Sequence, residues 1–238
     1  MESVEPVSVD DSRVTTAAAA SSSGSSDPAV VIDEILAEFI PASPVAQRIV
    51  DVTVQLIDER GEVAVRVQDI VEGAGVQVPI LYRHFGSRDG VIQAAHVRRL
   101  LAAGPVGWGQ FFRDVHTVRT EKDFRRVIDT LIETATSPRI ADSRAKQVNV
   151  FGAVYGRPRL REAVGRMQHC AAHALAEILE PAQSNGWIRA DIDLDVFGAW
   201  FGAQLMGRYM IELDPSLYDG DAWDRMFRDA VSFTLFGD

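Results

Sequence analysis

The sequence predicts an all-α fold of nine or ten helices, with a small helical unit near the N-terminus and a larger helical body after it. Three observations carry that prediction. Apolar residues recur at intervals of three and four along most of the chain. Capping residues, prolines and glycines fall at the ends of those periodic stretches. No segment shows the convincing alternation of apolar and polar residues that a half-buried strand requires.

Each element has its own signal. Residues 1–27 hold the run AAAASSSGSS and too little apolar content to bury a core, so a disordered tail is expected. Asp27 and Pro28 suit an N-cap and first helical position, and Val31, Ile32, Ile35, Leu36, Phe39 and Ile40 follow at helical spacing. They predict an extra helix and linker over 28–43, ended by Pro41 and Pro44 and packed on the body. A helix over about 44–60 stops at Gly61, a suitable residue beyond a helix end. A short helix over 67–74 turns its Ile70 and Val71 inward, Gly75 makes a turn, and a second short helix over 78–84 is broken by Gly86. Ser87 caps a helix that runs to about 103 and ends at Gly104-Pro105. A ragged segment with Trp108, Phe111 and Phe112 is expected next. Thr120 caps 121–136, where Phe124, Val127, Ile128, Leu131 and Ile132 form an apolar stripe. Helices over 139–155 and 158–184 follow, the second opened by Pro158, interrupted late by Pro181 and stopped by Asn185-Gly186. Asp193 caps 194–213, and Pro215 and Gly220 bound the loop before a last helix over 221–236. There is no internal repeat.

The bulk composition narrows the function. With 238 residues, 47% hydrophobic and 24% charged, the chain is an ordinary globular protein large enough for a sizeable core. Its one cysteine, Cys170, excludes an intramolecular disulfide and a cysteine-based zinc finger, and fits a reducing interior. No apolar run is long enough to cross a bilayer and no secretory signal is evident, so a cytoplasmic protein without a membrane partner is expected. The net charge of −10 is unevenly spread. Residues 1–43 carry one arginine and eight acids, residues 44–99 seven arginines and seven acids, and residues 100–238 sixteen basic and nineteen acidic groups. Phosphate binding needs local charge rather than a basic whole, so modest and strongly salt-sensitive nucleic-acid binding remains open to residues 44–99.

Residues 65–99, VRVQDIVEGAGVQVPILYRHFGSRDGVIQAAHVRR, hold the most informative pattern. Two short helices joined by a glycine turn, and then a capped third helix, make a helix-turn-helix. The second short helix would enter the major groove while its neighbours clamp phosphates. Ile70, Val76, Leu81 and Phe85 would form a small core, which leaves Gln77, Val78, Tyr82, Arg83 and His84 for double-stranded DNA. Tyrosine and histidine can donate to phosphate oxygens, and arginine can contact phosphate or guanine. Arg88 stands beside the next helix N-terminus, and Arg66 can supply a further phosphate contact.

These residues resemble the TetR family of one-component bacterial regulators. Glu59-Arg60-Gly61, Asp69-Ile70, Ala74-Gly75-Val76, Leu81-Tyr82-Arg83-His84-Phe85 and Gly86-Ser87-Arg88 match its signature in order and spacing over about residues 44–99. The chain departs from the pattern at Arg66 and Gln77, where the family usually has a small hydroxyl cap, at Ile80, where threonine is usual, and at Val71 and Gly73, where alanines are usual. The resemblance implies a DNA-binding head over 44–90 and a ligand-binding and dimerisation domain over 91–238. It also implies a homodimer built by the last two helices. The helix 194–213 is apolar on nearly every side, and Gly198, Gly202, Ala199 and Ala203 give small faces that admit another helix. Trp223, Phe227 and Ala230 on the last helix complete the expected interface.

A small-molecule effector is expected among the helices 87–103, 121–136, 158–184 and 194–213. Candidate lining residues are Trp108, Phe112, His116, Phe151, Tyr155, Met167, Cys170, His173, Trp200, Gln204 and Tyr209, apolar groups with a few polar tips. His169 and His173, four apart with Cys170 between, have metal-ligand spacing but no third ligand nearby, so no metal or other cofactor is expected. No glycine-rich phosphate loop, G-x-S-x-G turn or H-E-x-x-H motif is present, so an enzyme is not expected. The reading is a ligand-responsive transcriptional regulator, a repressor that binds a palindromic operator as a homodimer and is released by a small apolar or aromatic effector. The alternative is an interaction protein on the same fold whose DNA-binding head is weakened by Arg66, Gln77 and Ile80.

Overall fold

Caps and helix-stop residues set most of the architecture. The computed structural model describes residues 28–103 and 108–237, without the side chains of 108–110 and 112, so the tail expected over 1–27 lies outside the described residues. Eleven helices and no strand occur among them: α1 (Pro28–Phe39), α2 (Pro44–Arg60), α3 (Val67–Ala74), α4 (Val78–Phe85), α5 (Arg88–Ala102), α6 (Trp108–Thr117), α7 (Glu121–Thr136), α8 (Ala141–Ala153), α9 (Pro158–Ser184), α10 (Leu194–Glu212) and α11 (Gly220–Phe236). Short 3-10 turns at Glu62–Ala64 and Pro138–Ile140 precede α3 and α8. The hydroxyl of Thr120 accepts from the Asp123 amide, the Asp193 carboxylate from Val196, and the Asp219 carboxylate from Asp221 and Ala222. Each replaces an orphan amide's lost helical partner. Pro181 lies inside α9 without ending it.

The segment read as ragged is helix α6. Trp108, Phe111, Phe112 and Val115 recur at intervals of three and four, which is helical spacing, and Phe111 is buried in the body core.

Three apolar clusters organise the helices. The first belongs to the head. Ile49, Leu56 and Ile57 of α2, Ile70, Val71 and Ala74 of α3, Leu81 of α4, and Val91, Ile92 and Ala95 of α5 close around one another. The second joins head to body: Ile35 and Phe39 of α1 with Ile40, Val50 of α2, Ala94, Val97 and Leu100 of α5, Val150 of α8, and Leu160, Ala163, Val164 and Met167 of α9. The third fills the body with Phe124 and Ile128 of α7, Leu175 and Leu179 of α9, Phe197 and Phe201 of α10, and Phe227 and Val231 of α11. Alternate faces of α5 thus serve the head and the joining cluster, and a boundary drawn at residue 90 cuts a continuous helix. The extra helix α1 packs on α5 and α9 together. Burying Ile35 and Phe39 stabilises that docking by roughly 1.5–3 kcal/mol each.

The body also holds a buried charged chain. Arg144, 2% exposed, donates to the Glu212 carboxylate and to the Ala135 and Ser137 carbonyls at the end of α7. Arg208 pairs with Glu212 and, at 2.8 Å, with Asp224. The four charges alternate in sign and tie α7, α8, α10 and α11 together, which compensates the cost of removing them from water.

Two residues expected at a dimer interface lie inside the chain. A Cβ at Gly198 would stand 2.5 Å from the Ala172 carbonyl oxygen of α9. The small face of α10 there admits a helix of the same chain, because α9 crosses α10 at that point. Phe227 sits in the body core with Phe201 and Trp200 against it. Trp223 is half-buried and stacked on Phe227, while Gly202 and Ala230 are half-buried, with nothing within 4 Å of a Cβ built at Gly202.

Candidate nucleic-acid interface

The head presents α4 to solvent because α4 is apolar on only one face. Leu81 is fully buried, and Val78, Ile80 and Phe85 lean on the head core. Gln77, Pro79, Tyr82 and Arg83 are consequently exposed, and His84 is half-buried with its ring tilted against Phe85. The angle between α3 and α4 is set by Gly75 in the left-handed region (φ 63°, ψ 40°), where its amide closes the end of α3 on Val71 and Glu72. Arg48 of α2 donates from Nε to the Ala74 carbonyl at 2.9 Å and holds that same helix end. The Ser87 hydroxyl caps α5 by accepting from the Gly90 amide at 2.9 Å.

The places where the sequence departs from small hydroxyl caps leave a mark. Arg66 and Gln77 sit at the N-caps of α3 and α4 with extended backbones, and neither makes a side-chain cap hydrogen bond. A missing cap costs about 1 kcal/mol. Both side chains are exposed instead.

The arginines of residues 44–99 divide sharply. Arg48 holds Ala74, Arg60 faces Asp69 at 3.5 Å, Arg98 pairs with Asp51 at 2.9 Å, and Arg99 pairs with Asp58 at 2.8 Å. Arg88, expected to touch DNA, donates to the Val65 and Glu62 carbonyls at 2.9 and 2.7 Å and braces the turn before α3. Arg66 and Arg83 alone carry exposed guanidinium groups with no partner among the described residues. With Tyr82 and Gln77, and with Gln68 and Glu72 of α3, they form the polar surface offered by α3 and α4.

The candidate effector residues whose side chains are described lie in several parts of the body. Met167 lies in the joining cluster with Phe151 packed against it, and Cys170 is buried further along α9. His173 bonds the Asp195 carboxylate at 2.8 Å, and that bond raises its pKa above the ordinary value. Trp200 packs in the body core, and Gln204 and Tyr209 are half-buried on α10. Tyr155 is 94% exposed. The side chains of Trp108 and Phe112 lie outside the described residues. His116 lines a cleft of about 220 Å³ with Val115, Phe124, Ile178, Pro181 and Trp187, where α6 and α7 meet the end of α9. The turn residue Trp187 and the α9 residues there are not among the effector candidates the sequence offers, although the Asn185-Gly186 stop marks the place. His169 and His173 stack with ring centres 6.1 Å apart, and no group of three potential metal ligands occurs among the described residues.

Residues 49–95 match the model of the bacterial regulatory proteins of the tetR family. The whole fold resembles that of a Rhodococcus sp. protein assigned to the TetR-family transcriptional regulators, with 18% identity, 79% of this chain and 96% of that one covered, and a TM-score of 0.56. It also resembles Salmonella enterica GusR, with 18% identity, 83% and 98% covered, and a TM-score of 0.57. A Saccharomonospora viridis protein, assigned as a transcriptional regulator and solved in complex with choline, is 20% identical, with 79% and 96% covered and a TM-score of 0.57. At these identities the structures establish the fold. A search of curated proteins returns no match.

Proposed function

From a tetR-family helix-turn-helix head carried on a TetR-like all-α fold, we propose a ligand-responsive transcriptional regulator that binds a palindromic operator as a homodimer. In this reading it is a repressor, released by a small apolar or aromatic effector. The observation that carries the proposal is the division of the head's arginines. Five are engaged within the protein, while Arg66 and Arg83, on the outward faces of α3 and α4, are left for phosphate or guanine. An exposed apolar stripe on the last two helices supports the dimer: Val196 and Met210 of α10, and Met226 and Phe233 of α11. The mostly apolar cleft between α6, α7 and α9 supports the effector class. An effector shifts DNA binding only by preferring one arrangement of head and body over another.

The uncapped starts of α3 and α4, with Ile80 where a hydroxyl is usual, favour a second reading. In it the same fold serves protein interaction and the head has lost its DNA affinity. Fluorescence anisotropy on the duplex upstream of the protein's own gene, from low to moderate salt against random competitor, separates the two. Specific binding with steep salt dependence is the expected result. Absence of binding to any duplex at low salt overturns it in favour of the interaction protein.

A further inference from the structure

His96 lies in the middle of α5 and is fully buried. Its Nε2 is 2.9 Å from the Glu62 carboxylate, in the turn that leads into α3. Its Nδ1 is 3.4 Å from an Arg99 guanidinium nitrogen. Arginine only donates, so Nδ1 is the acceptor and the proton sits on Nε2, donated to Glu62. The imidazole is therefore neutral, fixed between a carboxylate and a cation.

Both of its neighbours connect the head to the body. Glu62 also receives Arg157, at the start of α9, at 2.5 Å, and Arg157 reaches Asp89 of α5 at 2.8 Å. Arg99 donates to Asp58 of α2 at 2.8 Å and to Asn149 of α8 at 2.6 Å, and Lys146 of α8 stands 3.5 Å from the same Asp58. The turn after α2, together with α2, α5, α8 and α9, thus meets around one ring.

A second proton on the ring has nowhere to go. It would sit on Nδ1, a donor aimed at a donor and a positive charge aimed at Arg99, with Arg157 close behind. Glu62 alone favours it. Burial opposes it first, and the ordinary titration of His96 is displaced downward. To accommodate the proton, Arg99 must leave, and its bond to Asn149 leaves with it.

We propose that His96 is the pin of a proton-sensitive clasp that holds the helix-turn-helix head on the helical body. Acidification pulls the pin and frees the head to move against α8 and α9.

Two exposed residues flank the clasp and allow a direct test. Val63 follows Glu62 on the head and is 97% exposed, and Tyr155 precedes Arg157 on the body and is 94% exposed. Spin labels on Val63→Cys and Tyr155→Cys, in the 238-residue chain with Cys170→Ala, report their separation through dipolar broadening. The broadening is expected at pH 7.5 and is lost on acidification below the ordinary histidine range, whereas with His96→Gln, which keeps a donor for Glu62 but cannot titrate, it stays constant through the pH range over which the native protein loses it. Unchanged broadening in the native-histidine protein, or an equal loss in the glutamine variant, overturns the proposal. Should the variant not fold, the titration of His96 in histidine-labelled protein by nuclear magnetic resonance decides. An Nε2–H tautomer titrating below its ordinary range is expected, and ordinary titration refutes the pin. A second arm rests on the proposed DNA-binding function: affinity for the duplex should fall about tenfold more with acidification in the native protein than in His96→Gln. His84 on α4 is common to both proteins and cancels. If no duplex binds, only the functional reading fails, because the label measurement contains no DNA.

Discussion

At the scale of residues, the head resolves a contradiction in its own composition. Seven arginines against seven acids leave it formally neutral, yet most of those charges face each other or a backbone carbonyl rather than solvent. Arg66 and Arg83 are what a phosphate would meet. Replacing either with alanine should weaken binding to every duplex alike and lower the slope of log affinity against log salt by about one. Arg88→Ala should leave that slope unchanged and lower the melting temperature, because its guanidinium braces the Glu62 and Val65 carbonyls. Anisotropy titrations over salt and thermal melts check both. The clasp sets the pH profile of stability. Glu62 opposes its own burial through bonds from Arg157 and His96, which hold its pKa at about 2. Its contribution is complete above the ordinary glutamate range and is lost as pH falls from there towards 2. His96 is also displaced downward, by burial first. The unfolded chain therefore takes up its proton before the folded one, and stability begins to fall as pH drops through about 6.5. His173 is raised by Asp195 and works in the opposite sense, but its pair with Asp195 is partly exposed and screened by solvent. Thermal melts from pH 8 to 3 should show a shallow decline beginning near 6.5 and a steeper one below 4.5. A melting temperature that rises on acidification would contradict both assignments.

At the scale of helices, what the sequence discloses is what is local. Thr120, Asp193, Ser87 and Gly75 announce helix ends because a cap or a left-handed turn needs only neighbours within four residues. The spacing of Trp108, Phe111, Phe112 and Val115 announced α6 equally well, but without a cap before it the pattern reads as a ragged segment. Packing partners are another matter. The small face of α10 shows that some helix comes close, and only the fold shows that at Gly198 the helix is α9 of the same chain. Likewise the arginines of the head are legible as charges, whereas their partners, dozens of residues away, are not. Gly198 and Gly202 thus have different fates. Gly198→Val forces side-chain atoms into the Ala172 backbone and should destabilise the folded chain by about 1–3 kcal/mol, read as a lowered denaturant midpoint. A Cβ at Gly202 meets nothing within 4 Å outside its own helix, so Gly202→Ala should leave the midpoint of the isolated subunit intact, and Gly202→Val should shift sedimentation towards monomer. Equal destabilisation by both would show that the second glycine also serves an internal contact.

At the scale of the whole molecule, charge and apolar surface point in complementary directions. Residues 100–238 carry three more acids than bases, and the head carries none in excess, so a polyanion approaching end-on meets the head with least repulsion. The apolar stripe lies on the other part of the molecule. Val196, Met210, Met226 and Phe233 are each more than half exposed, at helical intervals on two helices whose opposite sides are buried in the chain's own core. Surface of that kind on a monomer is unfavourable to leave wet, and two copies meeting about a twofold axis would cover each residue with its own symmetry mates. Such pairing fixes two heads on one body and makes the second half-site an intramolecular event, which multiplies affinity without new contacts to DNA. Met226→Glu with Phe233→Glu should therefore do two things at once. Sedimentation should show a monomer with unchanged helical circular dichroism, because neither side chain belongs to the core. Affinity for a palindrome should fall to that for a single half-site, while the salt slope per head is retained. A variant that stays dimeric would place the interface elsewhere on the body. One that becomes monomeric yet binds the palindrome undiminished would show that the two heads do not read it together.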